Sequence, residues 1–248
     1  MDKTVVKAFQ VLELLVQANG QMSVTKLAAR TGLQKSNVHR LLATLGALGY
    51  VHHGDSKLYE PSLRIWEMGQ QVYARLSIAS AARPYLRRLV EQTGESAHLA
   101  ILDRSEIVYI DKVETANPVR AYTVIGGRAP AYCTASGKVL LAYEPMETVR
   151  AVAGTMRRQT PETIADLKGL TKELARVRDQ GYAINLGEFR PNVAALAAPV
   201  QLATGKVIAV VGISGPLDRL RPRKIKSLAS TVVAAAQTIA RIMAAPRR

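Results

Sequence analysis

The chain has 248 residues, with 34 Lys or Arg against 19 Asp or Glu, a formal charge of +15 and a pI near 10.2. The length suggests two domains, the 48% hydrophobic content suffices for real cores, and the charge excess points to an acidic partner. A single cysteine, Cys133, excludes an internal disulfide and fits a reducing compartment; no run approaches the ~20 apolar residues of a membrane span.

The start, MDKTVVKAFQVLELL, has an acid at position 2 and no small-residue cleavage site. It does not read as a signal peptide, so a cytoplasmic chain with no membrane partner is expected. A first helix is predicted over Thr4–Ala18, with Val5, Phe9, Leu12 and Val16 on one apolar face and Asn19-Gly20 closing it. Ser23 caps a second helix that turns Leu27 and Ala28 inward and ends at Thr31-Gly32. A third, Lys35–Leu48, buries Val38, Leu41, Leu42, Leu45 and Leu48. Ala28, Gly32 and Val38 follow A-x3-G-x5-V, the spacing of a helix–turn–helix: a small residue for close crossing, a glycine for a positive φ, and an inward knob. Tyr50–His53 and Lys57–Glu60 flank Gly54-Asp55-Ser56 as a hairpin, and a hairpin after a recognition helix is a wing.

A further helix starts after Ser62, with Leu63, Trp66, Gly69, Tyr73 and Leu76 near one side. Either it packs on a partner subunit or it covers its own domain. Pro84 is expected to break it before another helix, Tyr85–Thr93. From Glu95 the period becomes two. SAHLAILD and EIVYIDKVE form a hairpin around Asp103-Arg104-Ser105, VRAYTVI is a strand, and Gly126–Pro130 is a loop. TASGKVLLAY opens a short helix, Pro145 marks a boundary, and Glu162–Gln180 is helical. Strands return at Tyr182–Asn185, Leu196–Gln201 and Val207–Ser214, before a closing helix over about Arg223–Met243. The fold class is α+β: an N-terminal winged helix–turn–helix (1–62), a linker helix (63–80) and a C-terminal domain with an antiparallel sheet (81–248).

Asn37 and Arg40 are the candidate base readers, because amide and guanidinium forks pair bidentately with adenine and guanine. Lys35 and Ser36 at the helix start suit phosphate, and Lys57 in the wing suits the flank. His39 either reads a base or rests against the backbone. Residues 1–62 hold only seven Lys or Arg against four Asp or Glu. Many other cations come late, at Arg219, Arg221, Arg223, Lys224, Lys226, Arg241, Arg247 and Arg248; a solvated surface and a DNA-flank contact both fit them. Ser136-Gly137-Lys138 lacks the P-loop spacing. Cys133 with His98 as base would be the nucleophile of an enzyme, against packing as the plain reading. His52 and His53 are adjacent on a strand and face opposite ways, so no metal site is expected.

GLQKSNVHRLLATLGALGYV (Gly32–Val51), RAPAYCTASGKVLLA (Arg128–Ala142), GYAINLGE (Gly181–Glu188) and VVGISGP (Val210–Pro216) together resemble the IclR-type transcriptional regulators over nearly the whole chain. The resemblance implies a GAF-like effector-binding C-terminal domain, dimers through the DNA-binding half, tetramers through the effector halves, and control by a small organic acid, with no cofactor. It implies binding of double-stranded DNA at a pseudo-palindromic operator, as repressor or activator. It also implies a pocket in which the backbone at Ala135 and Ser136 faces a carboxylate. Asn185 stands where the family often has Asp, Ala195 where Cys is frequent and Gly212 where Ser is frequent. Ser214 is kept, Ala121 and Ala129 occupy positions that can hold Met or Leu, and Val193 completes the wall. These changes trim the wall and remove an acid, so a ligand bulkier than a two- or three-carbon keto acid is expected, an aromatic carboxylate; refilling by backbone shifts is the alternative. A ligand-controlled regulator, not an enzyme, is the favoured reading. An enzyme built on Cys133 and a ligand-independent architectural DNA binder are the competitors.

Overall fold

The computed structural model describes residues 1–18, 21–54, 57–74 and 77–244. The expected helix stop at Asn19-Gly20, the hairpin tip at Asp55-Ser56, Leu76, Arg247 and Arg248 lie outside the described residues. The chain divides into two compact units, Met1–Leu76 and Ser77–Arg248.

In the first unit, α1 (Lys3–Gln17) is capped by Asp2, whose carboxylate accepts from the Thr4 and Val5 N–H groups. Ser23 caps α2 (Val24–Thr31) by accepting from Lys26 N–H, and Gly32 ends it at φ 69°, the left-handed conformation expected of the turn. Helix α3 (Lys35–Ala47) follows, then the antiparallel pair β1 (Val51–His53) and β2 (Tyr59–Pro61). The core holds Val11, Leu15, Met22, Leu27, Val38 and Leu42. Two expectations change. Val5, Phe9 and Val16 are exposed, and α1 buries Val11 and Leu15 instead, because this helix is apolar on two sides and the core takes the other one. Leu48 is exposed, since α3 stops at Ala47. Helix α4 (Leu63–Ala74) has no buried residue among its described side chains, and Leu63, Trp66 and Val72 stand in solvent.

The second unit begins with α5 (Ser77–Thr93). Pro84 lies inside α5 and does not break it. The ring sits on the exposed face, where water can satisfy the carbonyl it leaves free, while Ile78, Ala79, Ala82, Leu86 and Leu89 hold the opposite face down. A six-stranded antiparallel sheet follows: β3 (Ser96–Asp103), β4 (Glu106–Val113), β5 (Arg128–Pro130), β6 (Ala183–Leu186), β7 (Val193–Gln201) and β8 (Val207–Pro216), in the order β5-β4-β3-β8-β7-β6. The 119–125 segment forms no strand. The β4 edge is taken by β5 at Glu106–Val108, and Val119, Tyr122, Val124 and Ile125 are exposed. Accordingly the expected loop at Gly126–Pro130 is a turn leading into that edge strand.

After a 3-10 turn at Ala131–Cys133 come α6 (Ala135–Ala142), α7 (Met146–Ala153) and α8 (Leu167–Gln180). The sequence reading missed α7, and α8 starts later than Glu162 because Asp166 caps it, accepting from Gly169 N–H. The closing helix is two pieces, α9 (Pro222–Ser227) and α10 (Ala229–Ala244). The stretch Pro222–Ala244 is long and apolar enough to cross a membrane by length and composition. In the fold, Val232, Ala236, Ile239 and Ala240 are buried and α10 packs on β7, as a core helix does. Helices α5 and α10 cover one sheet face and α6 with α8 the other. Arg83 of α5 pairs with the buried Asp111 of β4, and Arg219 grips the buried Glu95 with two 2.7 Å hydrogen bonds. Arg219 is therefore a structural cation and not part of a free basic surface.

Helix α6 is buried along its whole length, including Lys138, 1% exposed. Its ammonium donates to Glu173 on α8 (2.9 Å), to the Ile184 carbonyl on β6 (2.8 Å) and to Glu188 (2.5 Å). All three donors are used, which is what makes the buried charge tolerable. Lys138→Met should cost about 3–5 kcal/mol in urea unfolding, because Glu188 would be left buried without a counter-charge. Lys138→Met combined with Glu188→Leu should recover much of that loss.

Candidate functional site

The first candidate surface is α3. Its inward edge is Val38, Leu41, Leu42 and Leu45; Lys35, Ser36, His39 and Arg40 are exposed and Asn37 is half-buried. Gln34 precedes the helix without a side-chain cap, so the first-turn N–H groups beside Lys35 and Ser36 have no internal acceptor. That end suits a phosphate. The Arg40 guanidinium lies 3.5 Å from Asn37 Oδ1, so the two forks share one part of the helix surface. Lys57, at φ 57°, presents its ammonium from the wing. All six residues expected to touch DNA thus lie at the surface of one small unit.

The second is a cavity of about 170 Å3 on the α6 side of the large sheet. Strand register explains its wall. Asn185 pairs with Ala195, Ala195 with Ser214 and Ser214 with Ser96, while His98 pairs with Gly212 two residues along, so alternate residues of four strands share one face. Ala121, Ala129, Ala135, Ser136, Asn185, Val193, Ala195 and Ser214 line the cavity. Gly212 does not. A Cβ there would lie 2.7 Å from His98 Nε2 and 2.8 Å from the Leu196 carbonyl, so the imidazole occupies the space that the expectation had assigned to the ligand. At this one position the space is filled by a side chain.

Thr134 caps α6, accepting from Gly137 N–H at 3.1 Å and donating to the Pro130 carbonyl. Gly137 sits so tightly on the preceding turn that a Cβ would come 2.1 Å from the Ala131 carbonyl, which fixes where the helix starts. Ala135 and Ser136, at that start, border the cavity with first-turn N–H groups that no helical carbonyl can satisfy. The Asn185 amide donates to the Cys133 carbonyl and accepts from Glu188 N–H, so it braces the loop that follows β6. Burial pushes the Glu188 carboxyl above the usual range, against the pull of Lys138.

Sequence reasoning weighed His98 only as a base for Cys133 and missed Tyr109, Tyr122, Phe189 and Arg190; all five line the cavity. The alternation on β3 and β4 could have flagged His98 and Tyr109 as inward-facing; nothing local marks the other three. His98 and Tyr109 meet edge to face at 5.2 Å, and burial pushes the Tyr109 phenol up to about 12. Arg190 is exposed, lies 5.5 Å from the Phe189 ring centre and forms no ion pair among the described residues; Arg128, also at the cavity, is held by Asp103 and Glu106. The Cys133 thiol is pushed up to about 12 by burial, which keeps it protonated, and His98 bonds to Ser136. The nucleophile reading therefore loses its thiolate. Among the described residues no three His, Cys, Asp or Glu cluster as metal ligands.

Burial holds His98 neutral, its pKa pushed down from 6.5 to about 4. In that window the unfolded chain binds more protons, so stability rises with pH and is lost as pH falls. Between pH 6.5 and 5.5 the melting temperature of the wild type should drop, and that of His98→Gln should drop less; differential scanning calorimetry on both reads the difference.

The model "Bacterial transcriptional regulator IclR C-terminal" matches residues 70–241, and "IclR helix-turn-helix domain" matches residues 4–55. The HTH-type transcriptional regulator KdgR of Escherichia coli is 34% identical over 95% of this chain and 90% of its own length. The crystal structure of the Thermotoga maritima IclR superposes with a TM-score of 0.80 at 30% identity, covering 98% of this chain and 99% of that one. An IclR homologue from Microbacterium hydrocarbonoxydans, complexed with 4-hydroxybenzoate, shares the fold with a TM-score of 0.82 at 22% identity, over 97% of this chain and 100% of that one. With both units matched in order, this chain belongs to the IclR family of bacterial transcriptional regulators, with a DNA-binding helix–turn–helix unit ahead of a C-terminal effector domain.

Proposed function

We propose that this protein is a cytoplasmic, ligand-controlled DNA-binding regulator whose effector is a small aromatic carboxylate. The observation that carries the ligand class is the cavity built on the open start of α6. Its anion-binding corner is made of backbone N–H groups, and its walls are alanines and the rings of Tyr109, Tyr122 and Phe189. A 170 Å3 space is close to the ~150 Å3 at which an apolar protein cavity accepts benzene, so one six-membered ring is a fitting occupant. The complex of the Microbacterium homologue with 4-hydroxybenzoate supports the same ligand class.

Helix α3 enters the major groove, with Asn37 and Arg40 at base edges, Lys35 and Ser36 on phosphate, His39 beside them and Lys57 on the flank. A homodimer, alone or paired into a tetramer, reads a pseudo-palindrome with half-sites about one turn or more apart. The exposed Val5, Phe9 and Val16 of α1 and Leu63, Trp66 and Val72 of α4 supply apolar surface for a second copy. Effector binding shifts the preference between two arrangements of the DNA-binding halves through unequal affinity for them. The helix after the wing is the linker in this scheme.

Calorimetric titration should give tighter binding for 4-hydroxybenzoate than for pyruvate; preference for pyruvate would reject the aromatic class. On DNA, Arg40→Ala should cost about 1–3 kcal/mol on the operator and little on random duplex. An equal loss on both would move Arg40 from a base to a phosphate.

A further inference from the structure

Resting on the reading of the cavity as an acid site, we propose that His98 is a positioning residue that commits the Ser136 hydroxyl to donating into the cavity, so that the site accepts a carboxylate and rejects its neutral carboxamide. His98 is 3% exposed, borders the cavity, and places Nε2 3.0 Å from Ser136 Oγ. Its other ring nitrogen, Nδ1, is buried without a hydrogen-bond partner among the described residues. A neutral imidazole carries one proton. An orphaned buried N–H is a rarer and costlier state than an unpaired acceptor, so the proton belongs on Nε2 and the bare lone pair on Nδ1. Nε2–H then donates to Ser136 Oγ. With that lone pair occupied from the protein side, the one proton on Oγ is free for an acceptor in the cavity.

The surroundings supply more donors. The Ala135 and Ser136 N–H groups have no helical partner, whereas Gly137 N–H is taken by Thr134 Oγ1 and Lys138 N–H by the Thr134 carbonyl. Ser214, 4% exposed, lines the same cavity, and its hydroxyl has no partner among the described residues. An isolated hydroxyl of this kind is independent of the helix start and likewise waits for an acceptor. A carboxylate can accept from all of these groups. A carboxamide of the same shape turns an NH2 toward at least one donor. The arrangement depends on residue 212, because the imidazole and any side chain there would overlap.

Benzoate and benzamide are the probes, titrated calorimetrically into the full-length wild type, His98→Gln and His98→Leu at pH 7.5. The wild type should prefer benzoate by about 100-fold, as a charged hydrogen bond lost and a donor left unpaired imply. His98→Gln, whose amide N–H reaches the same oxygen, should keep most of that ratio. His98→Leu should lose about tenfold or more in benzoate affinity with little change for benzamide. A His98→Leu protein that keeps the wild-type ratio overturns the proposal. A wild type that binds neither probe overturns the acid-site reading and this proposal with it, whereas a wild type that binds both equally overturns the donor arrangement alone. Nitrogen-15 NMR of histidine-labelled wild type tests the same point without a variant: the His98 signals should report the Nε2–H tautomer, and an Nδ1–H tautomer overturns the assignment.

Discussion

One buried ammonium organises the second unit. Lys138 projects from α6 and ties three pieces of chain that are distant in sequence: α8 through Glu173, β6 through the Ile184 carbonyl, and the following loop through Glu188. The Glu188 tie and the Asn185 bond to Glu188 N–H hold the loop that delivers Phe189 and Arg190. The close approach of Gly137 to Ala131 fixes the start of the helix, and with it the amides of Ala135 and Ser136. A buried charge is expensive, so it persists only where every donor is matched, and here every donor is. Gly137 and Lys138 of the Ser136-Gly137-Lys138 sequence are therefore packing devices, not parts of a phosphate loop.

The first unit shows a different economy of charge. Its helical core is apolar, and Lys35, Ser36, His39 and Arg40 of α3 face outward. In the second unit some of the positive charge is held in ion pairs, by Arg83, Arg128, Lys138, Arg176 and Arg219. The overall excess of Lys and Arg is thus a poor guide to where nucleic acid binds. The uncapped start of α3 and the grouping of Asn37 and Arg40 are better guides, because they combine position with hydrogen-bonding geometry.

The legible parts of the sequence were those set by local chemistry. Ser23 and Gly32 mark helix ends through caps that act within a few residues, and the helix–turn–helix was readable from them, whereas the Asp166 cap that starts α8 later than Glu162 was passed over. Val193, Ala195 and Ser214 came from the family resemblance alone and line the cavity, while Gly212, named in the same way, does not. What was not legible depended on distant partners. Whether 119–125 becomes a strand is decided by which segment claims the β4 edge. Whether α1 buries Phe9 or Val11 is decided by the other two helices, since both stripes are apolar. That His98 fills the space beside Gly212 follows from the β3–β8 register, which no short window contains.

The central claim is that occupancy of the cavity changes the grip of α3 on DNA. Fluorescence anisotropy on a labelled duplex from the region upstream of the protein's own gene, at one fixed salt concentration, measures this directly. With saturating 4-hydroxybenzoate the dissociation constant should move by about 5- to 150-fold, the range of ordinary coupling between two sites. An unchanged constant, with calorimetry in the same buffer showing the acid bound, would contradict the account.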